Sequence, residues 1–181
     1  MTNNISLIQG NLFRTDMETI AITVNCVGIM GKGIALTLKN QAKPAYEKYR
    51  ELCEAGEMNL GKSVIYDKPL DDLDGKTILF FPTKGHWRSR SELFQIKKGL
   101  EHFAENYHDM GITSIAFPAL GCGHGGLNWH DVKPLMYEYL EDLDLEIEIY
   151  EPGEQTETNL SENQTEKKSN PKPSKITDYS K

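Results

Sequence analysis

Two glycine-rich stretches decide how this chain folds: Asn25-Cys26-Val27-Gly28-Ile29-Met30-Gly31-Lys32-Gly33-Ile34-Ala35 and, about ninety residues later, Pro118-Ala119-Leu120-Gly121-Cys122-Gly123-His124-Gly125-Gly126-Leu127. Each follows a β-branched, strand-like run (20–24 and 112–117) and leads into a helical pattern. A loop between a strand end and a helix start points backbone N–H groups at whatever lies there, and glycines let that backbone approach closely because they carry no Cβ. Two such loops in one chain predict a ligand with more than one phosphate, clamped from both sides.

Composition predicts one main domain and a protein of the cytoplasm. The chain has 181 residues, of which 38% are apolar and 26% charged. It has neither an apolar run of about 20 residues nor a signal pattern, so we expect no membrane contact, and we expect a monomer. The three cysteines are widely spaced and lack CxxC pairing, which indicates reduced thiols and predicts no metal and no cofactor. A net charge of −7 argues against bulk coating of nucleic acid, so any such contact must be a local basic patch around a pocket.

The C-terminal segment differs in composition from the rest. Residues 152–181 are nearly devoid of apolar side chains, which predicts a disordered polar tail after a folded domain of residues 1–151. From residue 151 onward the chain has six acidic and five basic side chains, a net of −1, which leaves −6 on the folded part.

The folded part alternates predicted strands and helices. The patterns predict strands at 5–8, 20–24, 63–66, 77–81, 114–117 and 145–150, and helices at 34–39, 44–55, 91–107 and 129–140. Ser91 and Asn128 are the predicted N-caps of the last two helices. Leu93, Ile96, Leu100 and Phe103 share one face of the third helix. This alternation predicts a sheet with helices on both faces.

Two other nucleotide-binding motifs fit less well. Gly121, Gly123 and Gly126 match G-x-G-x-x-G, but that dinucleotide motif opens the first βαβ unit, and here only one helix and one strand follow it. The phosphate-loop pattern G-x-x-x-x-G-K-[ST] does not occur in the chain.

The glycine stretches, together with Gln9-Gly10-Asn11-Leu12-Phe13 and Val24-Asn25, resemble a macrodomain over residues 5–150. The resemblance implies a three-layer α/β/α sandwich around a mixed sheet, and it implies binding of ADP-ribose. Asn25 then meets the distal ribose, while the loop backbones hold the diphosphate. The ligand-binding positions implied are Gly10, Asn11, Leu12, Asn25, Gly31, Lys32, Gly33, Ile34, Ala35, Thr83, Pro118, Leu120, Gly121, Cys122, Gly123, His124, Gly125 and Gly126.

A third segment, Phe81-Pro82-Thr83-Lys84-Gly85-His86-Trp87-Arg88-Ser89-Arg90-Ser91, resembles the DarG-type antitoxin branch of that family. That branch, and the related terminal ADP-ribose protein glycohydrolases, have a catalytic lysine at the position of Lys84. The resemblance implies a glycohydrolase that removes ADP-ribose from DNA bases, with thymidine as the expected base, as the antidote to a DNA ADP-ribosyltransferase toxin. Its partners are then ADP-ribose, ADP-ribosylated single-stranded DNA and a cognate toxin. The nucleic-acid contacts expected are His86, Trp87, Arg88 and Arg90.

Two alternatives stay open at this point. One is a hydrolase of protein-linked ADP-ribose or of O-acetyl-ADP-ribose, and the other is a non-catalytic reader of ADP-ribose. Asn11 stands where many macrodomains have the aspartate that meets adenine. Gly125 stands where the protein-directed relatives have a second catalytic aspartate, which favours the DNA-directed pattern.

Three side chains have competing interpretations. Lys84 either attacks C1″ as a neutral amine or stabilises and protonates the leaving group as an ammonium. Trp87 and Trp129 are large aromatics whose size favours burial in the core over a stacking role. Cys122 fits a small packing residue beneath the second loop, since a catalytic thiol needs an activating neighbour.

Overall fold

The computed structural model describes residues 3–153; the predicted tail from residue 154 onward lies outside the described residues, as do residues 1 and 2. The described strands are β1 (Ile5–Ile8), β2 (Thr19–Asn25), β3 (Val64–Leu70), β4 (Lys76–Lys84), β5 (Ser114–Pro118) and β6 (Glu146–Tyr150). The described helices are α1 (Gly33–Gln41), α2 (Lys43–Glu54), α3 (Leu93–Asn106) and α4 (Trp129–Leu140). The predicted alternation of strands and helices is therefore confirmed.

The six strands form one mixed sheet in the order β1-β6-β5-β2-β4-β3. All neighbours run parallel except β3, which pairs antiparallel with β4. The central strands are apolar because parallel strands covered by helices are buried on both faces. This arrangement places the carboxyl ends of five strands at one edge of the sheet.

Two hydrophobic cores cover the two faces, as the three-layer prediction requires. Phe80 and Phe81 are adjacent in β4 and point to opposite faces, since side chains alternate along a strand. Phe80 packs on Tyr49 of α2, with ring centroids 5.6 Å apart. Phe81 packs edge-on to Phe117 on the other face, under α3 and α4. The sheet is thus a rigid platform for the loops at its edges.

The helix ends follow local chemistry at α2 and α4. Pro44 lies in the first turn of α2, and Gly56, with φ of +72°, lies just beyond its end. Asn128 caps α4 as predicted, its Oδ1 accepting the His130 N–H at 2.9 Å.

The start of α3 was predicted wrongly. The helix begins at Leu93, its N-cap is Glu92, and no side chain caps it. Ser91 instead donates its N–H to the Gly125 carbonyl at 3.0 Å, and its Oγ is buried without a hydrogen-bond partner among the described residues. Leu93 is exposed, so the buried face of α3 begins at Ile96. Tertiary contact with the second glycine stretch has displaced the local capping preference.

Candidate active site

Four segments meet at the carboxyl edge of the sheet, where ligands of open α/β sheets bind. We name them the edge turn (residues 9–12, after β1), the first loop (26–32, after β2), the lysine segment (84–91, from the last residue of β4 onward) and the second loop (119–127, after β5). Because β5, β2 and β4 are neighbours in the sheet, the last three segments are adjacent. The topology therefore gathers the predicted site residues from four distant parts of the sequence.

Direct contacts join the first loop, the lysine segment and the second loop into one continuous surface. The Cys26 N–H donates to the carbonyl of Gly85 at 3.0 Å, which joins the first loop to the lysine segment. The Ser91 N–H bond to Gly125 joins the lysine segment to the second loop. The His124 ring lies beside Gly33, 3.5 Å from where a Cβ on that glycine would stand. The two glycine-rich stretches thus lie side by side at this edge.

Asn25 is buried at the end of β2 and organises the first loop. Its Nδ2 donates to the Ile29 carbonyl at 2.8 Å, and its Oδ1 accepts the Val27 N–H at 3.1 Å. The Tyr49 hydroxyl lies 2.7 Å from that Oδ1 and 2.8 Å from the Asn25 carbonyl oxygen. Burial raises the pKa of Tyr49 far above its usual range, so the hydroxyl stays a donor. The loop is therefore held in shape by its own asparagine.

The start of α1 supplies backbone donors. Lys32 is the N-cap of α1, and its side chain makes no capping hydrogen bond. The Leu36 N–H donates to the Lys32 carbonyl at 3.2 Å. The amides of Gly33, Ile34 and Ala35 fall in the first turn, where an α-helix offers no acceptor of its own. Helix N-termini of this kind favour anions.

The second loop depends on glycine at three positions. Gly121 and Gly126 have φ of +72° and +80°, in the left-handed region. A Cβ on Gly125 would stand 2.3 Å from the Ser91 Oγ and 2.5 Å from the Gly121 carbonyl oxygen. A side chain at Gly125 therefore has no room unless the loop shifts. Arg90 lies over this loop, its Nε 3.6 Å from a Cβ position on Gly126.

Lys84 is the last residue of β4 and pairs in register with Asn25 on β2. Its Nζ donates to the carbonyl of Trp87 at 3.1 Å, which turns the ammonium toward the lysine segment. The side chain is partly buried. Burial lowers the pKa of Lys84, and the positive charge of Lys32 lowers it further.

Beyond Gly85, three consecutive residues form an exposed stack: His86, Trp87 and Arg88. The His86 and Trp87 rings are stacked with centroids 5.3 Å apart, and the Arg88 guanidinium lies 4.6 Å from the Trp87 centroid. Trp87 is 41% exposed, so the expectation of a core role is wrong for it, because the lysine segment leaves the sheet. Trp129 is partly buried and packs against the core under α4.

The edge turn places its residues at the far end of the site. The Asn11 Oδ1 accepts the Phe13 N–H at 3.0 Å and caps the short 3-10 turn Leu12–Arg14. Gly10 has φ of +140°, and Leu12 is buried. Asn11 is exposed, and its Oδ1 already serves the turn by accepting the Phe13 N–H.

The remaining predicted positions contribute through packing or backbone. Thr83 and Leu120 are buried, and Pro118 ends β5. Cys122 packs against the core, with its thiol donating to the Leu120 carbonyl at 3.5 Å. Burial, with a smaller effect of Asp131, raises the pKa of Cys122 to about 11, so it stays a thiol and the packing role is confirmed.

Tyr49 is the supporting residue that sequence reasoning missed. The spacing of Ala45, Tyr49 and Leu52 marks one buried face of α2. A buried tyrosine hydroxyl requires a hydrogen-bond partner, which is the signal that could have pointed to a polar group beneath the first loop. That the partner is Asn25, 24 residues away, follows only from the fold.

Two surface depressions lie away from this edge. One, of about 370 Å³, is lined by residues at the opposite edge, among them Asp16, Asp74 and Lys76. The other, of about 460 Å³, lies between α2 and β3. Among residues 3–153, no three His, Cys, Asp or Glu side chains come together as a metal site. In the same residues, no helix has the length and apolar character that crossing a membrane requires.

Comparison with known proteins gives a family. The Macro domain family model matches residues 22–136. The chain is 41% identical over 168 residues to the DNA ADP-ribosyl transferase-DNA ADP-ribosyl glycohydrolase fusion protein of Thermosipho africanus, covering 85% of this chain and 43% of that protein. The chain thus spans about two fifths of that relative's length.

Solved structures agree with the sequence match. Thermosipho africanus DarTG in complex with ADP-ribose superimposes with a TM-score of 0.80 at 40% identity, covering 83% of this chain and 42% of that one. The macrodomain of Mycobacterium tuberculosis DarG gives a TM-score of 0.74 at 40% identity, covering 82% of this chain and 98% of that one. With the sheet order and the two glycine loops described above, these matches show that the chain belongs to the macrodomain family and is similar to its DarG branch.

Proposed function

We propose that this protein is an ADP-ribosyl glycohydrolase that removes ADP-ribose from modified DNA bases, with thymidine as the expected base, and so reverses a DNA ADP-ribosyltransferase toxin. The observation that carries the proposal is the position of Lys84, at the carboxyl edge between two glycine loops and in register with Asn25. The similar proteins are named DNA ADP-ribosyl glycohydrolase, and the Thermosipho africanus DarTG structure holds ADP-ribose. Packing at Gly125 supports the DNA-directed pattern, because it leaves no room for a second catalytic carboxylate.

In this proposal the adjacent loops at the carboxyl edge of the sheet form the ADP-ribose site. The diphosphate lies between the first turn of α1 and the second loop, where free backbone amides and Arg90 face it. The distal ribose lies over Asn25, whose Nδ2 carries a second hydrogen besides the one donated to Ile29. The adenosine end extends toward the edge turn at Gly10 and Asn11.

Lys84 performs the chemistry in this proposal. In the role we propose, the neutral amine, whose fraction a lowered pKa increases, attacks C1″ of the distal ribose while the glycosidic electrons leave with the base. The departing base takes up the proton that the alkylated amine of Lys84 releases. Water then cleaves the lysyl–ribose C–N bond, leaving its hydroxyl on C1″ of ADP-ribose and a proton on the departing amine, which regenerates Lys84. The Trp87 carbonyl orients Nζ before the attack. The alternative role, an ammonium that protonates the leaving base, differs in the protonation state required.

In this proposal the stack of His86, Trp87 and Arg88 contacts the nucleic-acid part of the substrate. It lies exposed beside Lys84, where an aromatic face can receive a base and a guanidinium can meet a phosphate.

The test compares substrates. A single-stranded oligonucleotide ADP-ribosylated on thymine and a peptide ADP-ribosylated on glutamate are each incubated with the protein, and free ADP-ribose is quantified. We expect release from the oligonucleotide and little from the peptide. Release from the peptide alone would contradict the proposal in favour of the protein-directed hydrolase, and binding of free ADP-ribose without release from either would favour a reader.

A further inference from the structure

The lysine segment and the start of α3 concentrate positive charge in an acidic protein. Residues 84–98 contain five Lys or Arg and one Glu, whereas the whole chain has a net charge of −7. The same stretch exposes large apolar side chains, with Trp87 41% and Phe94 50% exposed. Buried sites in α3 are filled by Ile96, Leu100 and Phe103, so these exposed rings are not needed for its packing.

Cations lie on both exposed rings. The Arg88 guanidinium is over Trp87, and the Lys98 Nζ is 5.5 Å from the centroid of Phe94. Aromatic faces paired with cations, repeated along a surface, are the pattern of proteins that bind single-stranded nucleic acid: bases stack on the rings and the cations meet phosphates.

Contacts with the turn before β3 place Lys98 next to the lysine segment. Leu60 Cδ1 is 4.0 Å from a Cβ position on Gly85, and a Cβ on Gly61 would stand 3.4 Å from the Lys98 Cβ. One turn further along α3, His102 Nδ1 accepts the Ser63 N–H at 3.3 Å, which brings the adjacent Lys62 to the same face. The positive charge therefore extends from Lys84 to Lys98 and Lys62, and it ends near His102, on which the Glu105 carboxylate also acts.

We propose that the surface formed by Trp87, Arg88, Phe94 and Lys98 binds the unpaired nucleotides next to the modified base. Phe94 is a second stacking platform beyond Trp87, and Lys98 contacts a backbone phosphate. The inference rests on the proposed function for its substrate, and it adds that the enzyme recognises a stretch of single strand beyond the base it repairs. A duplex hides its base faces, so it cannot use these rings.

The first experiment compares two substrates of the same chemistry. Phe94→Ala and Lys98→Ala are assayed on an ADP-ribosylated single-stranded oligonucleotide and on ADP-ribosylated thymidine. We expect each variant to lower kcat/KM on the oligonucleotide by roughly tenfold and to leave the nucleoside within twofold. Leu7→Ala, an exposed apolar residue on β1, and Lys43→Ala, an exposed lysine of α2, are matched controls expected to act like the wild type. Equal losses on both substrates, or no loss on either, overturn the inference.

A second measurement separates this surface from the proposed activity. Anisotropy of an unmodified fluorescent oligonucleotide gives its affinity at two salt concentrations, with a duplex of the same sequence for comparison. We expect single-strand binding that weakens in Phe94→Ala and Lys98→Ala, with a smaller salt dependence in Lys98→Ala. If that pattern holds while no substrate is cleaved, the proposed function fails and the surface stands. If cleavage occurs but neither variant alters oligonucleotide binding, the surface fails and the function stands.

Discussion

At the scale of single residues, Lys84 is set apart from other lysines by its neighbours. Burial and the nearby charge of Lys32 lower its pKa, and the Trp87 carbonyl holds Nζ. An ordinary surface lysine is protonated at neutral pH and free to rotate. Burial and Lys32 increase the neutral fraction of the Lys84 side chain, and the hydrogen bond to the Trp87 carbonyl orients its Nζ. A nucleophilic amine needs both a neutral form and a defined direction.

Lys32→Gln tests this electrostatic coupling. Removing a positive neighbour raises the pKa of Lys84, because Lys32 is one of the two causes that lower it. We expect the corresponding limb of the kcat–pH profile to move to higher pH. If the neutral amine acts, kcat rises with pH through this limb and activity at neutral pH falls; if the ammonium acts, kcat decreases through it.

Lys39→Gln is the matched control, since Lys39 lies on the same helix with its Nζ 4.9 Å from the centre of the Tyr46 ring. Its profile should coincide with that of the wild type. A limb that stays in place in Lys32→Gln, or moves to lower pH, would show that the titrating group is not a lysine beside Lys32.

At the scale of elements, the second loop is shaped by what lies under it. Ser91 occupies the space beneath Gly125, and the chain returns over it with Gly126 in a left-handed conformation. Gly125→Ala forces the new methyl group against the Ser91 Oγ and the Gly121 carbonyl, so the loop must shift. We expect affinity for ADP-ribose to fall by about tenfold or more in calorimetry, with a loss of about 1–3 kcal/mol in the free energy of unfolding.

Gly123→Ala supplies the comparison within the same loop. A Cβ there meets no atom within 4 Å, and its φ lies outside the left-handed region. Its free energy of unfolding should be close to that of the wild type, because the added methyl group meets no protein atom. Equal stability of the two alanine variants would refute the packing argument at Gly125.

The contact of α3 with β4 depends on a second glycine. A Cβ on Gly99 would lie 2.5 Å from the Phe81 ring, so helix and strand approach too closely for alanine. Overpacking costs about 1–3 kcal/mol and exceeds the helix propensity gained, about 1 kcal/mol at most. We therefore expect Gly99→Ala to lower the urea midpoint of unfolding, and Phe81→Leu to recover part of that loss in the double variant. A stabilised Gly99→Ala protein would contradict this account.

At the scale of the whole molecule, periodicity and turn residues were enough to predict the alternating elements. Apolar runs such as 20–24 marked the buried strands, and Asn128 and Gly56 marked helix ends, because those signals are local. The sheet order could not be predicted in the same way, since β1 pairs with β6 more than 130 residues later. Extension of β4 to Lys84 also depends on a long-range partner, Asn25.

In the candidate site too, local features could be predicted from the sequence, and features that depend on long-range contacts could not. The glycine loops were predictable because glycine at a strand–helix junction allows backbone conformations and close backbone approaches that other residues do not. Ser91 was misread as a cap, and Tyr49 was not foreseen, since both act through residues distant in sequence. The exposure of Trp87 likewise follows from the path of the lysine segment and not from its composition.

Lys84→Ala separates binding from cleavage, since in the proposed function the loops hold ADP-ribose and Lys84 cleaves it from the base. Binding of free ADP-ribose and release from the ADP-ribosylated oligonucleotide are measured on the same preparation. Lys76→Ala is the matched control, because Lys76 begins the same strand and donates to the Met17 carbonyl at 3.0 Å. We predict that Lys84→Ala keeps its affinity for ADP-ribose within about threefold while the release rate falls by at least about 100-fold. Release at the wild-type rate by Lys84→Ala would contradict the account.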